Sequence, residues 1–126
     1  MTCVPQISTA RVYDAPDAAL GARLLVDRLW PRGIRKADLV IDDWVGEAAP
    51  SPALRKWFAH DPDKWAVFSR RYHAELVEND AAVARCLAWC RKGPVVLLYA
   101  AKDRDHNHAA VLRDYLRAQL AQEHAS

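Results

Sequence analysis

Val95-Val96-Leu97-Leu98-Tyr99 is a charge-free apolar run, preceded by Lys92-Gly93-Pro94. Consecutive apolar residues leave neither side of a strand for water, so a strand here must be covered on both faces. That is the condition of an interior strand of a parallel sheet. A polar loop follows, and then Val111, Leu112, Tyr115, Leu116 and Leu120 recur at helical steps between about Asp105 and about Gln122. A strand, a short loop and a packed helix make half of a βαβ unit. The chain is therefore expected to be an α/β domain with a small, mostly parallel sheet flanked by helices, a three-layer α/β sandwich.

The rest of the chain fits that frame. Arg11-Val12-Tyr13 opens a first strand, and Arg23 to Leu29 reads as a second, apolar almost throughout. The second stops at Trp30-Pro31-Arg32-Gly33, because Pro31 cannot donate to a ladder and Gly33 permits a turn. Leu39-Val40-Ile41 is a weaker extended stretch. Ser51-Pro52 supplies an N-cap and first-turn pair, with Leu54, Trp57 and Phe58 on one face. Asp61-Pro62 repeats that start signal, and Trp65, Phe68, Tyr72 and Leu76 then mark one buried stripe. Arg71 and Glu75 stand one turn apart on the outer side, spaced to pair in solvent. Asn79-Asp80 opens a third helix through Val83, Leu87 and Cys90. At 126 residues and 52% hydrophobic content the chain suits a single domain over residues 1–126, its core at about 11–116 and both termini frayed.

Charge and cysteine usage narrow the function classes. A net charge of +2, from 18 basic and 16 acidic residues, builds no strong field for nucleic acid or membrane. Cys3, Cys86 and Cys90 form no secreted disulfide pattern. Cys86 and Cys90 read as small core residues, since no further Cys or His follows at zinc spacing, so no metal is assigned. No apolar run approaches the roughly 20 residues of a membrane span, and Met1 to Thr9 lacks a leader layout. A reduced, cytoplasmic protein is expected. Most of the five tryptophans should be core, with Trp44 and Trp57 placed to floor a pocket.

Chemistry should gather where parallel strands end, because loops and helix N-termini converge there. The second strand runs out into Asp27-Arg28-Leu29-Trp30-Pro31-Arg32-Gly33. The last runs out into Ala100-Ala101-Lys102-Asp103-Arg104-Asp105-His106-Asn107-His108. Neighbouring strands would bring both loops to one crevice. His108 shares a helix face with Leu112 and Tyr115, so it is aimed inward near the helix N-terminus, which attracts anions. This is either an anion or acid–base site, or a half-buried histidine on a helix capped by Asp103 or Asp105. Asp27 at the end of an apolar strand needs a partner under either reading. Arg32 beside Gly33 suits planar recognition of phosphate or carboxylate. No Walker-type loop and no dinucleotide glycine fingerprint occurs, so no cofactor is named.

Three motifs, Leu25 to Gly33, Leu54-Arg55-Lys56-Trp57-Phe58-Ala59-His60-Asp61-Pro62, and Leu97 to Asp103 with His106-Asn107-His108-Ala109, together resemble a bacterial family. It is the domain of unknown function 488 family, in its YeaO-like branch, and the resemblance runs from about Arg11 to about Leu116. It implies a compact α/β domain and supplies no reaction, substrate or cofactor. Other branches of that family carry Cys-His-Arg after the last strand. His106-Asn107-His108 stands there in this chain, so their thiol chemistry does not carry over.

The residues thus favour a small enzyme or ligand-binding domain acting on a phosphorylated or nucleotide-like anion. Arg28, Arg32 and Lys102 would hold the anion, with Trp30, His106 and Asn107 around it. His108 would move a proton, and Asp27 or Asp103 would orient that histidine. Two rivals stand beside this reading. One is a nonenzymatic nucleic-acid or protein-binding module using Arg55, Lys56, Arg70 and Arg71 with Trp57, which the near-neutral charge argues against. The other is a structural ion network of Asp27, Arg28, Lys102 and Asp103. No oligomeric state and no membrane partner follows from the residues.

Overall fold

A computed structural model describes residues 6–14, 21–59, 61–102 and 106–125. One sheet holds four parallel strands, β1 (Ile7–Arg11), β2 (Ala22–Leu25), β3 (Asp43–Trp44) and β4 (Val95–Tyr99), in the spatial order β1-β4-β2-β3. The charge-free run is β4, and all of it is buried. Ile7 through Arg11 pair with Val95 through Tyr99 on one side, and Ala22 through Leu25 with Val95 through Leu98 on the other.

Alternation divides β4 between two cores. Val95, Leu97 and Tyr99 join Leu24, Val26 and the buried residues of the helices α1 (Pro52–Phe58), α2 (Trp65–Val77), α3 (Asp80–Lys92) and α4 (His108–Ala125). Val96 and Leu98 face the other way, onto Val12, Leu25 and Leu39, with Trp30, Ile34 and Ile41 packed around them. The α/β sandwich therefore has its helices on one face. Its other face is covered by the connection from β2 to β3, whose one helical turn among the described residues is Lys36–Asp38. That connection has too few apolar residues, and no helical period, to make a packed helix. Ile7 and Leu120 both lie in the main core.

Several boundaries differ from the sequence reading, each for a pairing reason. The first strand begins at Ile7, and Val12 to Asp14 is a 3-10 turn, because Arg11 already pairs with the last residue of β4. The second strand ends at Leu25 rather than Leu29. Val26 still donates to the Leu98 carbonyl at 3.1 Å, but its own carbonyl turns to His108. Leu39-Val40-Ile41 is no strand: Leu39 fills the second core, Val40 is exposed, and the pairing falls at Asp43–Trp44. Asp42 and Val45 extend it, donating to Arg23 and Leu25 at 2.8 Å each.

The first helix starts as expected, whereas Asp61–Pro62 opens a 3-10 turn ahead of α2 and the last helix begins at His108 rather than at about Asp105. Ser51 Oγ accepts from the Leu54 N–H at 3.2 Å with Pro52 next to it, and Ala59 in the left-handed region ends α1. Phe68, Tyr72 and Leu76 form the buried stripe of α2. Arg71 and Glu75 do not pair. Glu75 accepts from the N–H and hydroxyl of Ser51 at 2.8 and 2.6 Å, while the Arg71 guanidinium lies over Trp57 at 4.4 Å. Edge strand β3 is tied to α3 through Asp43, which accepts from Arg85 Nε at 2.8 Å and Trp89 Nε1 at 3.0 Å. The Arg85 hydrogen bond holds the Asp43 carboxyl below its usual range, against the opposing pull of burial. The tryptophans ring the core rather than fill it: all five keep some exposure, because their Nε1 groups or charged neighbours hold them at its rim.

The start of β2 rests on a close approach that only glycine allows. A Cβ on Gly21 would sit 2.2 Å from the Pro94 carbonyl oxygen, at a φ of +120, and that oxygen accepts the Ala22 N–H at 2.9 Å. Gly33 also has positive φ but open space around it. Gly33→Ala is expected to cost ~1–2 kcal/mol, the strain of a left-handed L-residue, and Gly21→Ala, which adds the clash with Pro94 to its own backbone strain, clearly more, as read by urea unfolding. Equal losses would remove the Pro94 contact from the account.

Candidate functional site

Because β2 and β4 are parallel neighbours, their carboxyl ends lie side by side, and Asp27 stands in the gap. Its Oδ2 accepts the Ala100 N–H at 2.9 Å, which joins the two strands past their last ladder pair. His108, the first residue of α4, places Nε2 2.9 Å from the Val26 carbonyl and 3.1 Å from Asp27 Oδ1. The angles favour the carbonyl, so Nε2 donates there, and Oδ1 faces the imidazole as a buried atom with no hydrogen bond of its own. A carbonyl can only accept, so Nε2 carries a proton in this arrangement. Trp44 Nε1 donates to the Asp27 carbonyl at 2.8 Å and brings β3 into the same joint.

His108 reaches this joint because its helix is docked on the core and capped in place. Leu112, Tyr115 and Leu116 are buried along α4. Asn107 Oδ1 accepts the Ala110 N–H at 3.0 Å, so the cap is Asn107. Tyr72 packs its ring edge against His108 with centroids 6.2 Å apart. Its hydroxyl donates to the Ala48 carbonyl, and burial drives its ionisation well above the ordinary tyrosine range.

Two cavities open beside the joint. The first, about 300 Å³, is lined by the apolar Pro50, Pro52, Phe58 and Phe68 and by Arg55, Lys56, His106 and His108. No carboxylate stands among its described lining residues. The second, about 190 Å³, lies on the Asp27 side, between Tyr13, Leu29, Trp30 and Arg32. Arg55 lines both. Sequence reasoning had set Arg55 and Lys56 on a nucleic-acid face. The signal that could have moved them here was their place in the middle of the second family motif, just after a capped helix start.

The other residues singled out from sequence are distributed as follows. His106 lines the first cavity with its ring edge against Trp65, centroids 5.2 Å apart. Asn107 lines it too, but is 2% exposed and spends Oδ1 on the cap. Arg32 is exposed at the second cavity, where its carbonyl accepts from Tyr13 at 2.9 Å. Trp30 lies beside it, held by an Nε1 bond to the Ile34 carbonyl at 2.6 Å. Arg28 points away from His108 and reaches the carbonyls of Ala49 and Pro50 at 3.3 and 3.4 Å, its Nε buried without a partner. Lys102 is exposed and outside the lining of both cavities. Asp103, Asp105 and His60 lie outside the described residues.

The proposed basic face comes apart. Arg55 and Lys56 belong to the cavity, Arg70 lies in the groove between α2 and α4, and Arg71 with Lys64 covers Trp57 at 4.4 and 5.1 Å. Trp57 lines neither cavity at the joint. Cys86 and Cys90 are buried in the core, where burial pushes the thiols up to about 12 and about 11. Among the described residues no group of three or more His, Cys, Asp or Glu is set to hold a metal. Nor, among them, is any helix long and apolar enough to cross a membrane.

Comparison with known proteins places the chain in company of its own length. Residues 6–126 match the family DUF488-N3i, described as the inactive DUF488-N3 subclade. The uncharacterized protein YeaO of Escherichia coli (strain K12) is 46% identical over 112 residues, covering 89% of this chain and 97% of its own. The uncharacterized protein Rv3073c of Mycobacterium tuberculosis (strain ATCC 25618 / H37Rv) is 39% identical over 111 residues, covering 88% and 93%. Uncharacterized protein Mb3100c of Mycobacterium bovis is similar to the same extent, 39% over 111 residues. No solved structure matches.

The joint and the buried thiols each make a measurable prediction. Asp27→Ala strands the Ala100 N–H, so it should cost ~1–3 kcal/mol in urea unfolding. A double-mutant cycle with His108→Ala should show coupling of at least ~0.5 kcal/mol; additive losses would mean that the two side chains do not act on each other. With Cys3→Ser in place, no thiol should react with a disulfide reagent at pH 8 until the protein is denatured, since the thiolate is the reacting form. Fast labelling of native Cys86 or Cys90 would contradict their burial.

Proposed function

The chain belongs to the DUF488 family, in its YeaO-like branch, and we propose that it is a small domain that binds a phosphorylated or nucleotide-like anion without turning it over. The observation that carries this reading is the first cavity. Arg55 and Lys56 line it, and among the described residues neither forms an ion pair. In the same lining the chain turns through His106 and Asn107 into α4, whose first amide groups favour negative charge. Two cations, a helix N-terminus and, among the described residues, no carboxylate in the lining favour an anion there, and the apolar lining raises the strength of any charge interaction in it.

Binding is favoured over catalysis by where the polar atoms of the joint are spent. A proton-transfer histidine needs a nitrogen aimed at the reacting atom. His108 gives Nε2 to the Val26 carbonyl, which leaves Nδ1 as the one ring nitrogen to meet a ligand, and Asp27 gives Oδ2 to the Ala100 N–H beside it. Asp27 is a positioning residue here, and His108 a wall of the cavity. The buried thiols lie in the core, outside the cavity lining. The family's description as an inactive subclade agrees with this division. Covered by Arg71 and Lys64, Trp57 offers no open ring for stacking bases, which counts against a nucleic-acid module on that face.

AMP at low ionic strength is the probe. It is expected to raise the melting temperature and to bind by calorimetry, with its phosphate still attached after prolonged incubation. Arg55→Ala and Lys56→Ala should each weaken binding about tenfold, the ordinary worth of a charge-assisted hydrogen bond. No shift at low salt, or binding that survives both substitutions, would defeat the reading. Phosphate release by the native protein that His108→Ala abolishes would replace binding with catalysis.

A further inference from the structure

The two cavities share their walls. Arg55 lines both. Of the consecutive residues Ala100 and Ala101, the first lines the second cavity and the second the first. Asp27 belongs to one and His108 to the other, and the two side chains meet at 3.1 Å. The Asp27–His108 pair thus stands between two adjoining cavities that share Arg55, with the Asp27 carboxylate on the side of the second.

Size and lining say what such a pair takes. At about 300 and 190 Å³ these compartments sit at or below the small end of ordinary ligand sites, roughly 300–1,000 Å³. Together they fall within that range. Each has its own apolar lining: the first has Pro50 and Pro52 with the edges of Phe58 and Phe68, whose rings are buried and stacked on each other at 4.3 Å, and the second has Trp30 with Tyr13 and Leu29. Leu29 is 70% exposed and Tyr13 45%, so the second lining stands wet unless a ligand covers it. Trp30 is fixed by its bond to the Ile34 carbonyl and its edge contact with Trp44 at 5.5 Å, which gives a planar partner a settled surface. Each compartment also has its own cation, Lys56 or Arg32.

We infer that the ligand is elongated: two planar groups joined through a phosphodiester or phosphoanhydride, the anion at Arg55 and one planar group in each compartment. This rests on the anion reading above and adds the shape of the ligand to it. Inorganic phosphate or a simple phosphomonoester would meet Arg55 and leave one or both apolar linings in water.

Calorimetric titration of the native protein with AMP and with the dinucleoside monophosphate ApA separates the two claims. AMP carries the greater negative charge, so charge alone ranks it first, whereas occupancy of two compartments ranks ApA first. ApA is expected to bind about tenfold tighter, the worth of one further base on an aromatic surface. Leu29→Ser and Arg32→Ala are both at exposed positions and should fold. Each should narrow the ApA-to-AMP ratio toward one. Equal affinities, or an ApA advantage that neither substitution narrows, overturn the elongated ligand while the anion reading stands. If neither compound binds at low salt, both fall together.

Discussion

A carboxylate at the end of an apolar strand has to be answered, and the answer organises this fold. Asp27 leaves β2 at the point where β4 also ends, and burying its charge without partners would cost more than most single contacts return. Its Oδ2 takes the Ala100 N–H, and the His108 imidazole stands against Oδ1. Its own carbonyl takes Trp44 Nε1. Three strands and the first residue of α4 are thereby fixed to one point. The helix N-terminus, the loop after β4 and the loop after β2 have no freedom to separate, and the cavities at the sheet edge are what remains between them.

The one-sided packing follows from the same economy of apolar surface. Every helix buries its stripe against the face of Val95, Leu97 and Tyr99. Val96 and Leu98 offer less area on the other face, and Trp30, Ile34, Leu39 and Ile41 suffice to cover it without a helix. Because α1 and α4 lie on the same face, the basic end of α1 and the start of α4 line one cavity at the carboxyl edge. An arrangement with helices shared between both faces would have put Arg55 and His108 on opposite sides of the sheet.

Much of this was legible in the residues, and what was missed has physical causes. The interior strand, the capped start at Ser51, the break at Asn79–Asp80 and the α2 stripe follow from local signals of period, capping and lack of charge, although the Asn79 side chain itself turns to the Glu47 carbonyl rather than capping α3. Strand ends were misplaced because they are set by the partner strand. Nothing in Ser8-Thr9-Ala10 marks a strand until β4 lies beside it, and nothing in Leu39-Val40-Ile41 tells that Leu39 will fill a core while Val40 faces water. The Arg71–Glu75 pair failed for the same kind of reason. Helical spacing permits it, but the neighbouring helix offers Ser51 to the acid and Trp57 to the base.

The site shows the limit of ranking residues by chemical reputation. His108, Asp27 and Arg28 have the most reactive-looking side chains, and each bonds to the main chain of the protein, His108 to Val26, Asp27 to Ala100 and Arg28 to Ala49 and Pro50. Arg55 and Lys56, which the sequence offers for a basic face with Arg70 and Arg71, instead line the cavity and, among the described residues, hold no ion pair. A side chain already bonded to the main chain gains little from a ligand, because it would exchange one partner for another. One that faces only water gains the whole difference when an anion arrives in a partly apolar pocket. On the proposed reading, recognition would fall to the α1 cations and the aromatic linings, and the aspartate–histidine pair would be the frame that holds them to their places.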